Sequence, residues 1–184
     1  MKKFICIFSL VFFMGISAFA DVLLFKDAAM HPLNVERYYS SYNEPEIRYN
    51  KDLSNITSNL MFSLPSVDHF NFYWGLGTYL NFYDGVGADL SAAVSYSFHE
   101  ETWPQMEIFL LTKYGFSVYF IKSVTYYLFA SATPYFMIMP AEGHHGVFFG
   151  IGPQLEYVQE LNYELYNRFS LGASAVVGFR FRKK

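Results

Sequence analysis

Side chains capable of chemistry are sparse in this chain, and their spacing decides how each is read. His144 and His145 stand close to Glu142, three groups of metal-ligating type. Adjacent residues of an extended segment diverge, however, and no further ligand follows at a spacing that zinc uses, so no metal is assigned. His99-Glu100-Glu101 ends an alternating segment that also holds Ser95 and Ser97. Ser97 and His99 would share one strand face two residues apart, the pairing of a serine nucleophile with its base in a hydrolytic site. No third group at a legible spacing orients that histidine, and the segment reads as a solvated strand end. Gly75-Leu76-Gly77 lacks the third glycine of a dinucleotide loop, and no G-x-S-x-G is present. No catalytic, cofactor-binding or metal residue is therefore assigned, no cofactor is expected, and the chain is expected not to be an enzyme.

A second set of ionisable groups sits within strand-like text. Asp89, Glu107, Lys113, Glu156 and Arg180 fall on the less apolar parity of their segments, with Tyr73, Tyr79, Tyr83, Tyr119, Tyr127 and Tyr135. If that parity faces an enclosed interior, the charges must pair, because an isolated buried charge is costly. Gly75, Gly77, Gly150 and Gly152 would then make room for rings.

The elements that must carry these groups are strands. Residues 70–99 set the pattern: Phe70, Phe72, Trp74, Leu76, Leu80 and Phe82 alternate with Asn71, Tyr73, Gly75, Gly77, Tyr79 and Asn81. After a turn at Asp84-Gly85-Val86-Gly87 the alternation resumes in phase through residues 88–98, which is a hairpin with one apolar face. Residues 56–64, 105–121, 124–139, 147–157 and 169–181 continue in the same manner. Residues 21–55 are harder to read and are expected to hold a first strand at 33–42 followed by a long loop at 43–55. The count is eight sequential strands. Pro134 and Pro153 each remove a ladder donor, which in lipid would leave a partner carbonyl unsatisfied and predicts bulges or exits from the membrane there.

Residues 1–20, MKKFICIFSLVFFMGISAFA, place two lysines before an apolar run and Ala18-Phe19-Ala20 at its end. That is the pattern of a secretory signal peptide cleaved before Asp21. Residues 21–184 then form a single domain with eleven basic and sixteen acidic side chains, a formal charge of −5 with no nucleic-acid footprint. Cys6 is the only cysteine, so the exported chain would carry no disulfide. Beyond the signal, no apolar run is long enough to span a membrane as a helix.

Charged residues make up 16% of the chain and aromatics 21%, whereas a soluble surface carries roughly 25–35% charge. Strands of about 11 residues, tilted, match the ~25 Å apolar band of a membrane barrel, and aromatics cluster near their ends. With its signal peptide, alternating segments and a last strand carrying Phe179 and Phe181, residues 56–181 resemble the small, about eight-stranded bacterial outer-membrane β-barrel proteins. The resemblance implies an all-β, antiparallel, up-and-down transmembrane barrel in the outer membrane. It also implies contact with membrane lipid, and with the barrel-assembly machinery through the C-terminal strand, in a monomer. The expected role is structural or surface-interacting through loops. The alternative is a lipid-modifying enzyme or a hydrophobic or small-solute conduit, which a clustered Ser/His/acid set at one rim would favour.

Overall fold

The computed structural model describes residues 21–38, 46–49, 53–81, 85–98, 105–120, 124–140, 144–162 and 166–182. The segment expected to be a signal peptide, with Cys6, lies outside them, as do Phe82, Tyr83, Asp84, His99, Glu100, Glu101, Lys122, Ser123 and Glu142. The strands are β1 (Asp21–Tyr38), β2 (Glu46–Tyr49), β3 (Leu53–Ser63), β4 (Phe70–Asn81), β5 (Gly85–Ser97), β6 (Gln105–Tyr119), β7 (Thr125–Met139), β8 (Gly146–Glu160) and β9 (Tyr166–Arg182). From β3 to β9 each pairs antiparallel with the next, and β1 pairs with both β3 and β9. Eight long strands thus close into an up-and-down barrel with no helix among the described residues. The short β2 joins β1 beyond the end of β3, with Leu33 opposite Tyr49 and Glu36 opposite Glu46.

The start of the chain differs from the expectation. The first strand begins at Asp21 rather than near residue 33, and β2 together with the start of β3 occupies part of the segment read as a loop. The reason lies in the inward face of β1, where Leu23 and Phe25 alternate with Asp21, Asp27 and His31, all buried. An inward face of mixed polarity erases the apolar-polar contrast by which a strand is recognised. A register shift near residues 30–33 on β1 then reverses which parity points inward, from His31 to Asn34. In the central hairpin, Gly85, Val86 and Gly87 belong to β5 rather than to the turn.

No bulge accompanies the prolines. Pairing of β7 with β8 runs to Ala132 opposite Leu155 and resumes at Phe136 opposite Ile151 with no change of register. Pro134 and Pro153 therefore face each other, and one interrupted stretch absorbs both missing donors without a bulge. On their other edges the strands stay laddered, Pro134 to Leu110 and Pro153 to Ala173.

Parity in the hairpin sorts as read: Phe70, Phe72, Leu76, Leu80, Leu90 and Tyr96 are exposed on the outer wall, while Tyr73, Tyr79, Asp89, Ser91 and Ser95 are buried inside. At the head of β5, Gly85 has φ +89, and a Cβ there would lie 2.0 Å from the Val118 carbonyl oxygen. Gly85→Ala is accordingly expected to cost about 1–3 kcal/mol, read as a lower urea midpoint for refolding in detergent. An unchanged midpoint would show that the turn relaxes freely.

Candidate functional site in the barrel interior

The interior is filled by side chains in three polar groups and two apolar clusters. At the centre, Lys113 on β6 reaches across the barrel to β1 and β3. Its ammonium donates to both oxygens of Asp27, at 2.6 and 2.8 Å, and to Thr57 Oγ1 at 2.5 Å. Asn59 donates to Asp27 and to Thr57, each at 2.8 Å, and the Thr57 hydroxyl donates to Asp27. Ser91 extends the group by donating to Asp89 at 2.6 Å and to Asn59 Oδ1 at 3.3 Å.

Toward the rim away from the termini, Glu156 on β8 accepts from Asn55 at 2.7 Å, Tyr79 at 3.2 Å and Arg168 at 3.3 Å. His31 Nδ1 stands 4.0 Å from the same carboxylate. Tyr79 stacks on Phe129 with ring centroids 3.8 Å apart, and Val158 and Tyr127 pack against them. Toward the termini, Arg180 on β9 donates to Asp21 on the neighbouring β1 at 2.9 Å, and its Nη1 lies 3.6 Å from Glu107 Oε1. Between this group and the centre sits the larger apolar cluster, which includes Leu23, Phe25, Met61, Phe109, Met137 and Phe148.

Every charged group expected inside is there: Asp89, Glu107, Lys113, Glu156 and Arg180 are all buried. The partners were not legible. Lys113 holds Asp27, Glu156 holds Arg168, and Arg180 holds Asp21. Asp27 and Asp21 lie on β1, so their pairing with Lys113 and Arg180 arises only when the barrel closes, whereas Arg168 meets Glu156 across the β8–β9 hairpin. A faint signal existed for Arg168, which shares the inward parity of Ser170 and Arg180.

Of the tyrosines, Tyr73, Tyr79 and Tyr135 are inside, Tyr127 and Tyr119 are half-buried, and Tyr83 lies outside the described residues. The glycine expectation is corrected. A Cβ on Gly77 would meet the Asp89 carboxylate at 2.4 Å, and one on Gly75 or Gly152 would meet backbone at 2.2 or 2.1 Å. On Gly150 it would meet Met137. The glycines that clear space for rings are Gly115, against Phe129, and Gly178, against Phe25 and Phe148.

Among the described residues the candidate chemistry is not assembled. Ser95 and Ser97 point inward and each accepts from Asn71, at 3.5 and 3.4 Å, while His99 lies outside the described residues. His144 and His145 are exposed at the start of β8. Thr57 beside Lys113 is the nearest approach to an amine-activated hydroxyl. All three donors of that ammonium are engaged, leaving no lone pair to act as base. No group of metal-ligating side chains suited to an ion occurs among the described residues. A scan against protein-family models and searches of curated proteins and of solved structures find no match to the chain.

Lys113→Met leaves Asp27 buried and unpaired, and is expected to cost about 3–5 kcal/mol. The double variant Lys113→Met/Asp27→Asn is expected to recover most of that loss. Denaturant titration in detergent micelles checks both, and equal losses in the single and double variants would refute the pairing.

Proposed function

We propose that this chain spans an outer membrane as a filled, non-conducting β-barrel, with a structural or recognition role rather than a catalytic one. The observation that carries this reading is the inverted polarity of the wall. Along the wall formed by residues 21–31 of β1 and by β3 to β9, Lys26 is the only charged side chain that points outward among the described residues, whereas Asp21, Asp27, Asp89, Glu107, Glu156, Lys113, Arg168 and Arg180 are buried inside. A soluble barrel would distribute these residues the other way, since exposed apolar area on this scale calls for an apolar surrounding.

Aromatic rings at both ends of the wall add support. Near the termini, Phe70 and Tyr96 lie 5.1 Å apart, Tyr96 and Phe98 5.2 Å, and Phe179 and Phe181 4.7 Å. At the other end Phe116 stacks on Tyr126 at 5.7 Å. Such belts suit the two interfaces of a bilayer. The signal-like residues 1–20 and the aromatic end of β9 fit export and handling by a barrel-assembly machinery, with lipid as the surrounding partner and one chain per barrel.

An eight-stranded barrel encloses little more than its own side chains, and here they lock together, which favours a plug over a conduit. Recognition then falls to the rim, where β1 and β2 remain paired past Asn55 and Asn81, the last partners of β3 and β4.

Leu76→Arg should cost about 2–4 kcal/mol when the barrel refolds into lipid, while Lys26→Leu should stabilise it, by up to a similar amount if residue 26 lies near the midplane. A protein that stays soluble without detergent, indifferent to both changes, would sink the membrane reading. In planar bilayers the refolded protein should give no sustained single-channel conductance. Steady conductance, abolished by substitution at Tyr79 or Lys113 and not by changes in the loops, would establish the conduit instead.

A further inference from the structure

Lys26 stands on the outer wall of β1 between the buried Phe25 and Asp27, and the wall around it carries no acid among the described residues. Its depth follows from the pairing with β9. Leu24 stands opposite Phe179 and Val22 opposite Phe181, so Lys26, opposite Val177, lies one step inside the aromatic belt near the termini. A lysine at that level extends its ammonium toward the interface, where an anionic lipid head is the available partner.

Its neighbours across the sheet are hydroxyls. Lys26 pairs with Ser58, Ser58 with Thr78, and Thr78 with Ala88; directly opposite side chains of antiparallel strands share a face at about 5 Å. All four positions lie on the outer face. One ammonium and two hydroxyls in a row offer a phosphate the donors that it needs.

The row does not run level around the barrel. The line of partners that leaves β1 at Val22 passes Trp74 on β4, Thr112 on β6 and Leu155 on β8, and returns to β1 at Leu33, farther from the termini. A chain laid along such a row climbs from the interface toward the middle of the wall. Past Thr78 the Lys26 row enters an open groove of about 630 Å³, where Ala88, Gly115 and Ala130 leave space between Leu90, Phe116 and Leu128. Asp89 borders the groove, with its carboxylate turned inward to Ser91. That volume suits a small ligand, and the side chains facing it are apolar.

We propose that this diagonal holds one anionic phospholipid of the leaflet on the terminus side, its phosphate on Lys26, Ser58 and Thr78 and one acyl chain in the groove at Ala88, Gly115 and Ala130. Any chain can wet an apolar wall, but the cation fixes one head at one end of the groove. The pairing also gives a reason for a lysine on a lipid-facing surface. Where no such head is present Lys26 is a liability, and Lys26→Leu stabilises the barrel.

The proposal rests on the membrane reading, and its test separates the two. Protein refolded into phosphatidylcholine bilayers that contain phosphatidylglycerol as a minor component is extracted in mild detergent and weighed by native mass spectrometry. One phosphatidylglycerol per barrel is expected to stay bound. Lys26→Met should lower its retention about tenfold, as loss of a charged hydrogen-bond partner does, and Lys26→Arg should keep most of it. Ala88→Phe, which retains the charge and fills the groove, should lower retention as well, and each variant should still insert. Equal retention by the wild type, Lys26→Met and Ala88→Phe, or no lipid held by a barrel that inserts normally, overturns the site alone. A chain that does not enter bilayers overturns the membrane reading, and the site with it.

Discussion

The ion pair between Lys113 and Asp27 is the contact on which the rest of the interior depends. It joins β6 to β1 across the full width of the barrel, and the sequence separation of 86 between the partners means that it exists only once the sheet has closed. Neither charge tolerates burial alone, since desolvation costs several kcal/mol per ion before any partner is found. The contact therefore makes closure and neutralisation interdependent: an open sheet would strand a lysine on one strand and an aspartate on another. Thr57 and Asn59 of β3 accept and donate the remaining hydrogen bonds, so three strands share one polar knot.

From that centre the interior grades in opposite directions. Toward the termini the filling turns apolar, with Met61, Phe109, Met137 and Phe148 packed together, until Asp21 and Arg180 meet across the β1–β9 seam. Toward the other rim it stays polar, with Glu156 collecting donors from β3, β4 and β9. A uniformly apolar filling would pack as tightly but would not fix which strand closes on which. The three ion-paired groups each tie β1 or β9 to something else, and this gives the closing register a chemical marker.

How much of this could be read from the residues depended on what each strand faces inside. β4 and β5 were legible because their inner faces, Asn71 to Asn81 and Asp89 to Ser97, are polar or small against an apolar outer face. β1 was not, because Leu23 and Phe25 point into the apolar part of the filling, so inner and outer faces look alike. The five expected inward charges were found inside because parity alone decides that. The partners of Lys113 and Arg180 depended on which residues closure brings together, a long-range property that no local pattern encodes, and that of Glu156 on the register of the β8–β9 hairpin. The bulges expected at the prolines are absent because each proline was weighed within its own strand, and their shared position appears only when β7 and β8 are aligned.

The same filling bears on where activity can reside. The groups best suited to chemistry are already committed to structure: Lys113 spends its three donors on Asp27 and Thr57, Ser91 is bonded to Asp89, and the Tyr135 hydroxyl pairs with Ser174 at 2.6 Å. Freeing any of them for a substrate would require unmaking a buried polar network, at a cost comparable to a large fraction of the stability of a domain. A reaction centre inside the barrel would thus oppose the fold that positions it. The rim is under no such constraint, because there polar groups meet water and their exchange for a partner costs little. The extended pairing of β1 with β2 and β9 offers a rigid platform at that rim, and it is there that selection could vary the residues without disturbing the knot beneath.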